Sequence, residues 1–165
     1  TYAQAQGIDT ESRTLKDTTK VDWVVDFLED NPQTIVFSFF KAPVEYLRKV
    51  LKDRAYYITG DDKRDLQEAI DYADKPLIAT YSLKEGANLQ KYKNIVFLSL
   101  PLSYRDFHQS ISRVHRTGQT QKVSVYLLFT SHIDKQIYSI IQAKKDIHEY
   151  YRSIKNAWQT FTDEL

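Results

Sequence analysis

Apolar positions along this chain recur with two different periods, and the two alternate. Val21, Val24, Val25 and Leu28 keep helical spacing, and the helix they predict stops at "EDNPQ", where Pro32 drives the residue before it out of the α region. "TIVFSFF" (34–40) follows as a continuous apolar run of strand length. Val44, Leu47 and Leu51 mark the next helix, and "AYYIT" (55–59) reads as a short strand closed by Gly60. Asp61 or Asp62 can cap a helix running to Ala73, after which "PLIATYS" (76–82), "NIVFLSL" (94–100) and "VSVYLLF" (123–129) read as three more strands. Ile133, Ile137, Ile140 and Ile141 then line one side of a last helix, with Lys144 and Lys145 beyond them. Apolar strands alternating with helices require a mainly parallel sheet covered on both faces, because each parallel strand needs a crossover and the crossover helices bury both sides. The expected class is α/β, three layers in the order αβα. In such sheets ligands sit outside the carboxyl ends of the strands, so the segments that follow strands carry the functional search.

The flanks break this rhythm. Residues 1–17 are polar and aperiodic and read as an arm or the remnant of a linker; the domain proper is expected over 18–150, with 151–165 as a C-terminal helical extension. At 165 residues the chain is one domain by size. Its 42% apolar and 27% charged residues put it among soluble globular chains. No apolar run approaches the roughly 20 residues that span a bilayer, and the first residues lack the basic and apolar regions of a secretory signal, so an intracellular protein without a membrane partner is expected. Cysteine is absent and the four histidines are scattered, which removes disulfides and thiolate metal sites and leaves no expected metal. The net charge is +1, from 23 basic and 22 acidic residues, so any contact with a polyanion must be a local patch.

The chemistry concentrates in "PLSYRDFHQSISRVHRTGQ" (101–119). Ser103 can cap a helix there, Asp106 is placed for a capping box, and Gly118 is expected to end it. Phe107, Ile111 and Val114 then face the sheet, while Gln109, Arg113 and Arg116 share the same spacing and form one polar stripe. Paired guanidinium forks suit a phosphate whose charge grows during phosphoryl transfer. On spacing alone the same stripe also reads as a solvated helix face. Among the four glycines, Gly7, Gly60, Gly86 and Gly118, none belongs to a phosphate-cradling loop ending in Gly-Lys-Ser/Thr, and no Asp-Glu pair follows a strand.

"HQSISRVHRTGQTQKVSVYLL" (108–128) resembles motif VI of the Swi/Snf-type branch of superfamily two helicases, with its Arg-x-x-Arg-x-Gly-Gln core and the strand after it. "LIATYSLKEGANLQKYKNIVFLSL" is similar to motif V, "QTIVFSFFKAPVEYLRKVL" to motif IV, and "YYITGDDKRDLQEAI" to the segment between them, in matching order over residues 18–150. The resemblance implies the C-terminal RecA-like lobe of an ATP-dependent DNA helicase or translocase. It also implies that Arg113 and Arg116 reach across a lobe interface to ATP, with Gln109 on the same nucleotide-facing helix and Gly86 and Asn88 in the motif V loop that couples nucleotide to nucleic acid. ATP and Mg²⁺ would belong to the complete two-lobe motor, held by an N-terminal lobe carrying the phosphate loop, and this chain alone would use no cofactor and hydrolyse nothing.

The expected nucleic-acid partner is double-stranded DNA, whose phosphates Thr80, Ser82 and Lys84 in motif V and Ser38 and Lys41 in motif IV can meet from strand ends. The sequence departs from the common pattern in two places. Lys84 and Glu85 stand where small residues often precede the glycine, and "LPLSYRD" stands where many remodellers carry Trp-Asn-Pro. With no large insertion between the second and third strands, a compact bacterial, archaeal or viral relative is expected. Two other readings remain: a separately encoded, non-catalytic nucleic-acid-binding or regulatory module, and a small stand-alone α/β transferase, which the missing phosphate loop and acid/base cluster disfavour.

Overall fold

The computed structural model describes residues 1–83 and 87–163. Five strands, β1 (Thr34–Ser38), β2 (Tyr56–Ile58), β3 (Leu77–Thr80), β4 (Asn94–Phe97) and β5 (Ser124–Leu127), form one sheet in the order β2-β3-β1-β4-β5. Every pairing is parallel; Ile35 in β1 lies opposite both Leu77 and Ile95. The expected strands are all present, each shorter by two or three residues than its apolar run, because the run continues into loops that are themselves buried, as Leu98 and Leu100 are.

Period-two alternation sorts the strand side chains between two cores. Ile35, Phe37, Leu77, Ala79, Ile95 and Phe97 face α4 (Leu66–Tyr72), α5 (Tyr104–Ser112) and α6 (His132–Asp163). Val36, Ile78 and Val96 face α2 (Thr19–Asp30) and α3 (Lys41–Leu51), which bring Val21, Val24, Leu28, Val44 and Leu47. This is the three-layer αβα architecture of a RecA-like fold. Helix α4 starts later than expected because the acids thought to cap it are engaged elsewhere: Asp61 pairs with Lys41, and Asp62 takes the Arg64 guanidinium. Asp65 instead accepts the outward N–H of Tyr57 at 2.9 Å, which blunts the free edge of β2.

Residues 1–17 depart from the expected free arm. They form a short helix, α1 (Tyr2–Ala5), and a hairpin closed by an Ile8–Leu15 bridge. Gly7 makes the fold-back possible: its φ is +75°, and a Cβ there would stand 2.5 Å from the Asp17 Cβ. The Tyr2 hydroxyl donates to the Leu100 carbonyl at 2.7 Å, and its ring packs 5.1 Å from Phe40 and 5.8 Å from Phe39. Buried ion pairing completes the attachment. Lys20 Nζ, in the first turn of α2, reaches both carboxylate oxygens of Asp134 at 3.1 Å, the Gln6 amide oxygen at 2.7 Å and the Leu98 carbonyl at 3.1 Å. Asp134 also accepts from Gln6 Nε2 at 2.7 Å and from the Thr130 and Ser131 N–H groups. Helix α6 runs unbroken to Asp163, so residues 151–163 continue it, and its outer half shows Ile147, Tyr150 and Tyr151 to solvent. No helix among the described residues is long and apolar enough to cross a membrane.

Removing one partner of a buried pair strands the other charge, so Asp134→Ala should cost about 3–5 kcal/mol, read as a lower urea midpoint at unchanged slope. Burial pushes the Asp134 carboxyl up, but the Thr130 N–H, the Gln6 amide and Lys20 together hold it below the usual carboxylate range. A carboxyl depressed in the folded state adds stability that is complete above its unfolded pKa of about 3.9 and disappears as pH falls through the folded value. Acid titration of stability should therefore show that loss in the parent chain, and Asp134→Asn should lack it.

Candidate functional site

Because all strands are parallel, the segments after β1, β2, β3 and β4 emerge at one edge of the sheet. Helix α5 begins there on Ser103, whose Oγ accepts the Asp106 N–H at 3.3 Å. Phe107, Ile111 and Val114 pack on the sheet as the spacing predicts, Phe107 with its ring 4.9 Å from Phe97. The helix, however, ends at Ser112, well before Gly118. The carbonyls just past it are taken from elsewhere in the chain: the Arg113 carbonyl accepts the Leu89 N–H at 3.0 Å, and the Val114 carbonyl accepts Gln119 Nε2 at 3.0 Å. Gly118, at φ +95°, belongs to the turn beyond.

This early stop separates the two arginines that the sequence places on one stripe. Arg113 is 8% exposed, and its guanidinium donates to the Leu83 carbonyl at 2.8 Å. Its side chain thus holds the chain just before residue 84, while its own carbonyl holds Leu89 just after residue 88. Asp106, Gln109, Ser110 and Arg113 line, with Phe37, Tyr81 and Leu83, a cavity of about 10 Å³, room for one water and no more. Arg116 lies past the helix and is exposed. A second set of bonds laces the same two segments: Gln90 Nε2 to the Thr117 carbonyl at 3.0 Å, and Gln119 Nε2 to the Gln90 carbonyl at 2.8 Å.

The residues expected to meet phosphate differ in availability. Ser38 is buried, and its hydroxyl donates to the Phe40 carbonyl at 2.7 Å, which braces the turn into α3. Lys41, the first residue of α3, is exposed and ion-paired with Asp61. The Thr80 and Ser82 hydroxyls lie 2.8 Å apart at the end of β3. Asn88 is exposed, and its Oδ1 accepts the Gln90 N–H at 3.1 Å in a local turn. Lys84 and Gly86 lie outside the described residues. Lys63 was missed by sequence reading: it follows β2, and its ammonium donates to the Ser82 carbonyl at 3.0 Å. Lys20 and Asp134 were missed too, since residues that far apart in the chain leave no mark in local spacing. Among the described residues no group of His, Asp or Glu is assembled to hold a metal.

A family model described as "Helicase conserved C-terminal domain" matches residues 19–118, which contain β1 to β4, α5 and both arginines. The chain belongs to that family. It is 27% identical over 135 residues to the uncharacterized ATP-dependent helicase YqhH of Bacillus subtilis, a match that covers 76% of this chain and 24% of the relative. It is 31% identical over 144 residues to the chromatin-remodeling ATPase INO80 of Mycosarcoma maydis, covering 79% and 7%. Against the RNA polymerase-associated protein RapA of Haemophilus influenzae it is 29% identical over 121 residues, covering 66% and 13%. The chain therefore spans a quarter or less of the length of these relatives. Among solved structures, the C-terminal part of the Fun30 ATPase domain superposes with a TM-score of 0.63 at 24% identity, over 73% of this chain and 44% of that one. Domain 2 of the DEAD-box helicase Mss116p, solved on an RNA duplex, gives 0.54 at 13% identity, over 77% and 50%. Both likenesses are of fold. The chain is thus a RecA-like helicase C-terminal lobe.

Burial predicts opposite stability effects for the two arginines. Arg113→Ala leaves the Leu83 carbonyl unpaired and should cost about 1–3 kcal/mol. Arg116→Ala, at an exposed position, should stay within about 0.5 kcal/mol of the parent. Paired urea titrations check both.

Proposed function

We propose that this chain is the second motor lobe of an ATP-dependent DNA helicase or translocase, contributing guanidinium groups to ATP held by a separate N-terminal RecA-like lobe while its strand-end loops follow a DNA backbone. The observation that carries this reading is Arg113, which belongs to the arginine-bearing segment and at the same time ties down both ends of the loop after β3. The family match and the ATP-dependent helicase among the relatives support it.

Bound with Mg²⁺ on the other lobe, ATP would supply the phosphoryl group to be transferred. This chain's contribution is charge and position. Arg116, exposed and cationic at any physiological pH, is free of the sheet and can offer its planar fork across an interface. Gln109 lies on the helix that leads to it, and Arg113 transmits the position of that helix to Leu83 and Leu89, joining it to the loop that contains Gly86 and Asn88. On the DNA side Lys41, Thr80, Ser82 and Lys84 are the donors, at an intracellular site of action. By itself the chain should neither hold ATP nor hydrolyse it, having no phosphate loop.

An arginine that stabilises phosphoryl-transfer charge is worth about 10³–10⁵ in rate. Arg116→Ala in the intact two-lobe protein should therefore lower DNA-stimulated ATP hydrolysis by a factor approaching that range, with duplex binding little changed. Turnover near that of the parent would remove Arg116 from the ATP site and favour a regulatory, non-catalytic lobe.

A further inference from the structure

The order β2-β3-β1 makes the loops after these three strands neighbours. Lys41 comes from the first turn after β1, Ser82 from the end of β3, and Asp61 and Lys63 from the segment after β2. The Lys41–Asp61 ion pair therefore spans the end of β3, over which the Thr80 and Ser82 hydroxyls face each other. Lys63 closes the far side through its bond to the Ser82 carbonyl.

The charges in this patch are unequally satisfied. Lys41 has Asp61, while Arg48 and Arg64 share Asp62 at 3.7 Å and 2.8 Å. Among the described residues Lys63 makes no ion pair, and its ammonium rests on a neutral carbonyl. An ammonium carries three donors, so one such bond leaves it both charge and hydrogens to give. The Lys41–Asp61 pair is of the kind an incoming anion displaces at small cost, since its side chains are 59% and 80% exposed and such pairs are worth little.

We propose that Lys63 and Lys41 together form a seat for neighbouring phosphates of one nucleic-acid strand, with Asp61 as an acidic latch that Lys41 leaves when the strand arrives. This rests on the reading of the lobe as a nucleic-acid motor and adds Lys63 and Asp61 to its contact face. The half-buried Ser82 hydroxyl, on the strand between the loops that carry the two cations, accepts from the buried Thr80 hydroxyl and can donate its own hydrogen to a phosphodiester oxygen. The latch keeps an unoccupied lobe from holding stray anions and leaves a carboxylate beside the bound strand, which weakens binding and speeds release.

The test is equilibrium anisotropy of a fluorescein-labelled mixed-sequence duplex with the intact two-lobe protein, titrated at a series of salt concentrations, with a duplex RNA of the same sequence as a second arm. Removing one phosphate-neutralising cation should flatten the slope of log affinity against log salt by about 0.9 units. Lys63→Gln should show that flattening and Lys63→Arg should restore the slope, a rescue that a purely structural lysine would not give once melting curves show both variants folded. Asp61→Asn should tighten binding about two- to fivefold, the strength of an exposed ion pair. The arm with the steeper parent slope names the backbone the seat accepts. A parental slope in Lys63→Gln beside a flattened one in Lys41→Gln would overturn the seat and leave the nucleic-acid reading standing. Unchanged affinity in Asp61→Asn would overturn the latch, and parental slopes in all variants on both duplexes would overturn the seat and the reading together.

Discussion

Strands that all run the same way can be joined only by crossovers that return the chain to its starting edge, and this constraint decides where chemistry can happen in this lobe. With β1 to β5 parallel, every strand delivers its following loop to one edge. Strand order then sets their neighbours. Because β3 lies between β1 and β2, Lys41 can meet Asp61 only across the end of β3, and Lys63 meets Ser82 directly. Both helical layers serve this edge by filling the faces behind it, with Phe37 stacked on Phe97 and Phe107 tilted against it.

The same edge is fastened from the side by Lys20 and Asp134. A buried ion pair is a poor source of net stability, because desolvation offsets most of the attraction. What it does well is fix register. Here one ammonium and one carboxylate, with Gln6 between them, bring α1, α2, the end of β4 and the start of α6 into a single arrangement that an apolar contact of equal area would leave free to slide. The folded N-terminal segment is a consequence of this pair. Its own few apolar contacts, through Ile8 and Tyr2, would not by themselves order so short a polar stretch.

The elements were legible in the sequence to the extent that burial is local. A strand covered on both faces must be apolar at every position, so "TIVFS" and "NIVF" announce themselves, and crossover helices betray their inner faces by spacing. The end of α5 was not legible, because it depends on Leu89 and Gln119 taking the carbonyls of Arg113 and Val114, contacts that no periodicity encodes. The bond of Ser38 was hidden for a related reason: a hydroxyl at a strand's carboxyl end has the right chemistry for phosphate, and only the turn into α3 shows that it donates to the Phe40 carbonyl. Lys63 went unnoticed because one lysine among "DDKRD" looks like solvated surface until β3 is seen beside β2.

The two arginines gain separate meanings once the helix is seen to stop. Had α5 continued to Gly118, Arg113 and Arg116 would project from one rigid rod and move only together. Instead Arg113 is the residue at which the helix closes, with its side chain anchored before the loop and its carbonyl after it. Arg116 follows in a turn held by Gln90 and Gln119. Two hydrogen bonds thereby tie the loop after β3 to the base of the segment that carries Arg116. The exposed Arg116 is thus joined, through the backbone of its own segment and the two hydrogen bonds of Arg113, to both ends of the loop after β3.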